Sequence, residues 1–302
     1  MNTICVGIPD AWNFYHKREY CAQLAQLPAV RTIEGTTAQL LRDPAVTALV
    51  FAPQPGQLFL PLMQALEAGK HVFCDKCISL TAAQIKTLYA CAASNRLQLA
   101  FEFPFLHRPI FHVAQSYLAS GLLGTVHSAY LRNAHNGLAA GTLPPQFLSD
   151  PHGVLYDIGI HPFYMALALF GTPDSVTARA VLTPDGALHT CHALLGMPRQ
   201  VITCESSYCS AESGFSLQLY GDRACLRAEV RGGALHTICV PEQVTSKGNA
   251  YFAKTTESAD KSDLAVWVDA ILTDRAQDPA QAAFAIQAAS LTETVYGAVR
   301  TQ

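Results

Sequence analysis

The segment Val46-Thr-Ala-Leu-Val-Phe-Ala52 is a nearly all-apolar run of strand length, and a helical stretch and a second such run follow it. The helical stretch extends from about Leu58 to Ala68 and ends at Gly69, and the second run is His71-Val-Phe-Cys-Asp75. Continuous apolar runs are typical of parallel strands that helices cover on both faces. This strand-helix-strand unit predicts a doubly wound α/β domain.

The same alternation extends on both sides of this unit. Thr3–Gly7 predicts a short buried strand, and Lys17–Leu27 has the periodicity of a helix. Beyond the unit, Thr81 caps a predicted helix that runs to about Ser94, and Leu97–Phe101 predicts one more strand. We assign residues 1–103 to this first domain.

Ligands bind to doubly wound sheets at the carboxyl ends of the strands, so residues 7–10, 53–57 and 75–76 should line one crevice. Lys76 lies at this edge, where its cationic side chain can meet a ligand. The alternative is that Lys76 is a surface lysine at the start of a loop.

Residues 104–302 predict a second domain of the α+β class with a large, mostly antiparallel open sheet. Its strand signals are separated by glycine-containing turns. The predicted strands are Ser175–Leu182, Leu188–Leu195, Gln200–Tyr208, Phe215–Tyr220, Ala224–Val230 and Leu235–Val240. Two helices, Ser262–Thr273 and Pro279 to about Arg300, close the chain.

The composition excludes several classes of partner. The chain has 20 Lys plus Arg against 23 Asp plus Glu, a net charge of -3, and no basic run, which argues against nucleic acid and anionic membranes. No apolar run has membrane-spanning length, and the first residues lack the pattern of a signal peptide. We expect a cytoplasmic protein that acts on a small molecule.

The cysteine pattern agrees with that compartment. Ten cysteines are scattered through predicted strands and helices rather than spaced as a disulfide framework. We expect reduced thiols that mostly fill core positions, and we predict no metal site.

Asp157 and His161 lie four residues apart in a stretch that a glycine and a proline, Gly171 and Pro173, bring to an end. In a helix this spacing puts the carboxylate and the imidazole on one face, where the carboxylate can orient the ring and raise its basicity. The alternative is that His161 lies in the interior and is hydrogen-bonded for stability alone.

Three segments together resemble the glucose-fructose oxidoreductase, inositol dehydrogenase and MocA family. Ala65-Leu-Glu-Ala-Gly-Lys-His-Val-Phe-Cys-Asp-Lys76 is similar to that family's strand-ending Glu-Lys-Pro motif. Asp157-x-Gly159-x-His161 is similar to its catalytic-helix signature, and Ala119–Gly124 resembles the loop before the first strand of its large domain. The resemblance implies a Rossmann-like first domain and an NAD(P)-dependent oxidoreductase that acts on a sugar, polyol or related hydroxy compound.

The resemblance also implies roles for individual residues. Lys76 would hydrogen-bond the reacting oxygen, His161 would take or give the proton, and Asp157 would orient both substrate and imidazole. NAD or NADP would lie along the carboxyl ends of the strands. The residues expected to bind it are Gly7, Ile8, Pro9, Ala52, Pro53, Gln54, Asp75 and Lys76. A partner copy would cover the open sheet face, as in a homodimer or homotetramer.

The sequence departs from the family at the cofactor. The dinucleotide turn Gly-x-Gly-x-x-Gly is replaced by Gly7-Ile-Pro-Asp-Ala-Trp-Asn-Phe14, in which Pro9 lacks an amide donor and Asp10 is negative where phosphates would lie. The second strand is apparently missing, and Glu34 stands on what looks like the third strand, the wrong one to hold the adenosine ribose. Asp75 and Cys77 replace the glutamate and the proline of the motif.

These departures leave three hypotheses open. In the first, the chain is an oxidoreductase that holds NAD(P) through an altered loop, with Trp12–Tyr15 folded over the adenine. In the second, it is a family member without cofactor that acts as a sugar-binding or regulatory module. The third hypothesis uses Cys74 and Cys77 as a redox or zinc pair.

Four further polar residues are candidates for substrate binding. His107 and Arg108 follow a strand end of the first domain, and Arg132 and His135 lie along a strand of the second. The alternative is that they are solvated or lie at a domain interface.

Overall fold

A computed structural model describes residues 3–10, 14–52, 56, 58–77, 79–231, 234–241, 251–255 and 262–301. The chain divides into two units. The first comprises Met1–Pro104 and Lys261–Ser290, and the second Phe105–Asp260 and Leu291–Gln302. The predicted fold class, a Rossmann-like α/β domain and an α+β domain with a large sheet, is confirmed.

Within the described residues, the first unit contains a parallel sheet whose five strands have the order β2-β1-β3-β4-β5. The strands are β1 (Ile4–Pro9), β2 (Val30–Gly35), β3 (Ala48–Phe51), β4 (His71–Cys74) and β5 (Leu99–Phe101). The helices are α1 (Phe14–Leu24), α2 (Thr37–Arg42), α3 (Phe59–Glu67), α4 (Ala82–Ser94) and α8 (Asp263–Leu272). The strand order reverses between β1 and β3, and the carboxyl ends at such a point usually form a ligand crevice.

The central strands of this sheet are buried on both faces, as their apolar runs predict. All residues of β1 and of β3 are buried. Two of the helices start at capping boxes, in which a threonine and a glutamine satisfy each other's backbone amides. Thr36 and Gln39 cap α2, and Thr81 and Gln84 cap α4, which explains why both helices begin where they do.

The helix α8 belongs to the first unit, although it follows the second in the chain. Its residues Leu264, Trp267 and Val268 lie in the same hydrophobic core as the first strands. The Trp267 ring packs 5.6 Å from the ring of Phe73 on β4. Residues 261–290 therefore belong to the first unit although they lie beyond residue 103, because the apolar face of α8 completes the core of the first sheet.

The described part of the second unit contains a sheet of nine strands in the order β13-β12-β11-β10-β6-β9-β8-β7-β14. Neighbouring strands are antiparallel, except for the pairs β6–β9 and β7–β14. The strands are β6 (Val126–Ala134), β7 (Ser175–Leu182), β8 (Leu188–Gly196), β9 (Val201–Ser207), β10 (Gly214–Gly221), β11 (Ala224–Arg231), β12 (Ala234–Pro241), β13 (Tyr251–Thr255) and β14 (Val299–Thr301). The remaining helices are α5 (Pro109–Ser120), α6 (Pro145–Ser149), α7 (Ile160–Phe170) and α9 (Pro279–Ala298).

One face of this sheet is covered and the other is open. The helix α7 packs on β6 and β9 with its residues from Ile160 to Leu167 buried. Because side chains alternate across a strand, the buried Leu195 and Ile202 point to the covered face and Leu194 and Val201 point away from it. The last two are each 47% exposed, so the open face carries apolar side chains.

The longest described helix, α9, has 20 residues. Neither it nor any other helix within the described ranges is long and apolar enough to cross a bilayer.

Candidate functional site

Lys76 lies two residues after the end of β4, at the carboxyl edge of the first sheet. Only 4% of the residue is exposed. Its backbone amide donates a 2.7 Å hydrogen bond to Oδ1 of Asp75, which is itself 1% exposed. Fully buried lysines and aspartates are rare unless a charged partner is near, so this edge is a concentrated electrostatic site rather than a solvated loop.

A second carboxyl group lies close to this pair. Glu102 follows β5, and its Oε2 accepts a 2.7 Å hydrogen bond from the hydroxyl of Tyr20 on α1. Burial, together with the charges of Asp75 and Asp263, raises the pKa of Glu102 to about 8, while the Tyr20 hydrogen bond and Lys76 act in the opposite direction. His16, also on α1, places Nδ1 3.2 Å from Oδ2 of Asp75.

Gly7 lies inside β1 rather than in the turn after it. The strand continues to Pro9, and Ile8 and Pro9 pair with the end of β2. A Cβ atom at Gly7 would lie 2.6 Å from a methyl carbon of Leu49, so this glycine is required for strand packing.

Of the other residues expected to bind the cofactor, some are buried and some lie outside the described residues. Ile8 and Ala52 are each 2% exposed, and Ala52 follows β3 directly. Pro53, Gln54 and Trp12 lie outside the described residues.

The prediction that Glu34 stands on the wrong strand is wrong. The strand β2, which carries it, pairs directly with β1, and Glu34 is in register with Ile8 near the carboxyl end. This is the place in the sheet that the second strand of a dinucleotide-binding unit occupies. Glu34 is ion-paired there, with Oε2 at 2.5 Å from Nζ of Lys17.

In the second unit, Asp157 lies in a turn of π-helix, Leu155–Gly159, that leads into α7. The predicted helix is therefore irregular at this point, and π-turns are often found at functional sites. Oδ2 of Asp157 accepts a 2.9 Å hydrogen bond from the hydroxyl of Tyr208, a buried residue just after β9. Burial and the Asp157 charge raise the pKa of Tyr208 well above its usual value, so the phenol remains a donor.

The chain approaches the π-turn through Gly153, whose φ of +45° is unfavourable for other residues. A Cβ atom there would lie 2.1 Å from the carbonyl oxygen of Leu188. Only glycine lets the segment pass this close to β8, and the position of Asp157 depends on that approach.

His161 is 6% exposed and makes its Nδ1 hydrogen bond with Tyr164, three residues further along α7. The Tyr164 hydroxyl is 2.9 Å from Nδ1 and also accepts the backbone amide of Phe105 at 3.1 Å. The Phe105 ring packs edge-on against the imidazole, with centroids 5.0 Å apart. Nδ1 is thus the imidazole nitrogen that faces the Tyr164 hydroxyl.

Of the residues expected to bind the substrate, His135 lies near Asp157, because both contact Tyr208. Its ring packs 5.1 Å from that of Tyr208, and its Nδ1 accepts the amide of Gly137 at 2.9 Å. Burial lowers the pKa of His135, and the charge of Asp157 opposes that shift. At neutral pH the ring is a neutral group beside the carboxylate.

Arg132 is placed elsewhere. Its neighbour Asn133 donates to the carbonyl of Ile158 on the covered face of the sheet, so Arg132 points to the open face. There Nε lies 3.1 Å from Oε1 of Glu205. The arginine is therefore part of an ion pair on the side opposite to α7.

The other two candidates lie at the start of the second unit. Arg108 precedes α5, with its guanidinium 4.7 Å from the centroid of the Phe105 ring. His107 ends a single 3₁₀ turn, Pro104–His107, and is partly exposed. Phe105 thus contacts both Arg108 and His161.

Four tyrosine and glutamate partners at these sites were not predicted. Tyr164 has a signal in the sequence, because it lies three residues from His161 and so on the same helical face. Tyr20, Glu102 and Tyr208 have none, since their partners are distant in the chain.

The Cys74 and Cys77 pair does not support thiolate chemistry. Both side chains are fully buried free thiols. Burial and the neighbouring charge of Asp75 raise both pKa values, so the thiolate that a redox or zinc site requires is disfavoured. Across the described ranges, no three His, Cys, Asp or Glu side chains are grouped as metal ligands.

The first unit and the site in the second unit match two models of one family. Residues 12–103 match the oxidoreductase family with an NAD-binding Rossmann fold, and residues 111–227 match the GFO/IDH/MocA C-terminal domain. Together the matches cover about two thirds of the chain. The chain belongs to the GFO/IDH/MocA family.

Other members of the GFO/IDH/MocA family have similar sequences. The Escherichia coli (strain K12) oxidoreductase YdgJ is 29% identical over 66% of this chain and 58% of its own length. A dTDP-3,4-didehydro-2,6-dideoxy-alpha-D-glucose 3-reductase of Actinomadura kijaniata is 32% identical over 50% of this chain and 44% of its own length. The chain spans about half the length of the curated relatives it matches.

Solved structures confirm the fold of this GFO/IDH/MocA member. The structure of KijD10, a 3-ketoreductase from Actinomadura kijaniata in complex with NADP, matches with a TM-score of 0.81. The match covers 99% of each chain at 18% sequence identity.

Proposed function

We propose that this GFO/IDH/MocA member is an NAD(P)-dependent oxidoreductase that transfers hydride to or from a sugar, polyol or related hydroxy compound. The observation that carries the proposal is the buried Lys76 at the carboxyl edge of the first sheet, in the part of the chain that matches the NAD-binding family. Hydride transfer creates an alkoxide-like oxygen, and a preorganised cation is the group that stabilises it.

The residues of the first unit fit a dinucleotide at its adenosine end. Glu34 lies beside the end of β1, where an acid that accepts the ribose 2′-hydroxyl is expected, and Lys17 pairs with it. The pyrophosphate would lie near the start of α1, whose first backbone amides form a positive end. When bound, the nicotinamide supplies or accepts the hydride.

The roles of this chain's own residues follow from their contacts. Lys76 would donate a hydrogen bond to the reacting oxygen and stabilise its developing negative charge. His161 would exchange the proton through Nε2, because Tyr164 occupies Nδ1. Asp157, held by the Tyr208 hydroxyl, would accept a hydrogen bond from a substrate hydroxyl.

The sugar-like substrate class rests on the relatives and on the donors and acceptors of the second unit. The Actinomadura relative is named for reduction of a dTDP-linked keto sugar. Asp157, His135 and Tyr208 form a polar group with carboxylate, imidazole and phenol, which suits hydroxyl recognition. A screen of sugars and polyols would identify the substrate.

We also propose that a second copy of the chain covers the open face of the nine-stranded sheet, in a homodimer or homotetramer. Leu194 and Val201 on this face are each 47% exposed, and burial of such apolar side chains is favourable. Sedimentation of the purified protein measures this directly, and a monomer across the micromolar range would refute it.

Calorimetric titration with NAD+, NADH, NADP+ and NADPH tests the oxidoreductase proposal. Micromolar binding of one form, followed by hydride transfer in a screen of sugars and polyols, is the expected result. No binding of any form up to millimolar concentration would refute it. That outcome would favour the second candidate, a sugar-binding member without cofactor, which the position of Gly7 inside β1 supports.

A further inference from the structure

A group of ionisable residues surrounds Glu102 in the first unit, and of these only Lys76 has a part in the roles proposed above. Tyr20 and His16 come from α1, Asp75 and Lys76 from the end of β4, and Asp263 from the start of α8. Tyr20 is 1% exposed and donates to Glu102 Oε2 at 2.7 Å. Asp263 accepts the amide of Phe103, the residue after Glu102, at 2.8 Å.

The signs of these charges do not balance if every carboxyl group is ionised. Asp75, Glu102 and Asp263 would contribute three negative charges, against which Lys76 and His16 can supply at most two positive ones. Asp75 is the most buried of the three acids, at 1% exposed, and its Oδ1 is fixed by the Lys76 amide. Within the described residues its Oδ2 accepts no hydrogen bond, although Nδ1 of His16 is 3.2 Å away.

Two nearby carboxylates in a poorly hydrated site repel each other, and one of them then retains its proton. The geometry selects Glu102 for this role. Asp75 has the amide of Lys76 and the imidazole of His16 to stabilise its charge. Glu102 has the phenol of Tyr20, which can donate to a carboxylate or a carboxylic acid alike.

We propose that Glu102 is a positioning residue that carries a proton at neutral pH, so that its carboxyl group adds no negative charge beside Lys76. The protonation of Glu102 then sets the electrostatic field at Lys76. Ionisation of Glu102 would add a negative charge near the oxygen that Lys76 stabilises, and would make the ammonium a weaker proton donor. The effect on turnover rests on the proposed function; the protonation of Glu102 does not.

The protonation itself is tested by thermal unfolding between pH 5 and pH 9, with Glu102→Gln and the exposed control Glu67→Gln. The pKa of Glu102 is raised in the folded protein, so the folded state binds more protons than the unfolded state between the two pKa values. The wild type should therefore lose stability relative to Glu102→Gln as the pH rises from about 4.5 to about 8. A Tm difference that is constant over this range overturns the proposal.

A second measurement covers the case in which Glu102→Gln does not fold. Carbon-13 NMR of glutamate carboxyl groups in the wild-type protein should show one signal that titrates near neutral pH. Tyr20→Phe removes a hydrogen bond that lowers the pKa of Glu102, so it should move that signal to higher pH. If all glutamate signals titrate in the ordinary acidic range, Glu102 does not hold a proton at neutral pH.

The consequence for catalysis is read from the pH dependence of kcat. The wild type should lose rate as Glu102 ionises, Glu102→Gln should lack this alkaline limb, and Tyr20→Phe should shift it upward. An unchanged limb in both variants overturns the positioning role. A protein with no turnover on any hydroxy compound, but with the stability and NMR results above, refutes the proposed function and leaves the proton site standing.

Discussion

The hydroxyl of Tyr208 donates a 2.9 Å hydrogen bond to Oδ2 of Asp157, although the residues lie 51 positions apart in the chain. The bond joins the end of β9 to the π-turn before α7. It fixes the carboxylate in a segment whose helical geometry is irregular. Tyr208 therefore constrains the orientation of the Asp157 carboxylate.

Tyr208→Phe removes this bond and keeps the ring that packs on His135. A hydrogen bond to a charged group contributes about 1.5–3 kcal/mol, so we expect kcat/KM to fall about tenfold or more. Steady-state kinetics of Tyr208→Phe, Asp157→Asn and the double variant measure the effect. Fully additive losses in the double variant would show that the two residues act independently.

Lys76→Ala should abolish turnover and leave the fold intact, because the roles proposed for the Lys76 ammonium are catalytic. The matched contrast is Lys70→Ala, since the Nζ of Lys70 donates to the carbonyls of Val46 at 2.6 Å and Asp43 at 2.9 Å. Loss of a partner for a buried acceptor costs about 1–3 kcal/mol, so Lys70→Ala should lower Tm. Thermal unfolding and turnover assays separate the two, and a fully active Lys76→Ala protein would remove Lys76 from the mechanism.

His161→Ala should flatten the near-neutral limb of the pH–rate profile, because the proposed proton exchanger is lost. Tyr164→Phe keeps the imidazole but removes the group that holds Nδ1 and accepts the Phe105 amide. We expect Tyr164→Phe to retain a limb at a displaced pH. An unchanged profile in His161→Ala would make the histidine structural.

Glu34→Ala should weaken binding of NAD+ and NADH about tenfold, because a charge-assisted hydrogen bond to the ribose would be lost. Lys17→Ala should weaken NADP+ and NADPH more than NAD+ and NADH, since its ammonium is the nearby cation for a 2′-phosphate. Calorimetry with each form gives the comparison. Unchanged affinities in Glu34→Ala would place the ribose elsewhere.

The strands and the catalytic candidates could be predicted from the sequence because their signals are local. The apolar run from residue 46 to 52 predicts β3, and the motif that ends at Lys76 predicts the carboxyl edge at which that lysine lies. The position of Glu34 could not be predicted in this way. Strand neighbours in a sheet are set by tertiary pairing, and no local pattern in the sequence indicates that the strand carrying Glu34 pairs with β1.

The hydrogen-bond partners of Asp157 and Glu102 could not be predicted from the sequence for a similar reason. Asp157 and His161 are four residues apart, which predicts a shared helical face, yet the π-turn interrupts the regular spacing. Tyr208 and Tyr20 reach their partners across the fold, and no spacing in the sequence encodes such contacts. Tyr164 alone lies close enough in sequence to His161 for a helical pattern to indicate it.

The place of α8 in the first core constrains the order in which the chain acquires its structure during synthesis. Trp267 must leave the ribosome before the face that includes Phe73 can be covered, so the N-terminal unit cannot finish when residue 104 emerges. The whole of residues 105–260 is translated in the meantime. Nascent chains of this protein therefore carry an unfinished apolar surface while residues 105–260 are translated, and chaperones that bind such surfaces can act in that interval.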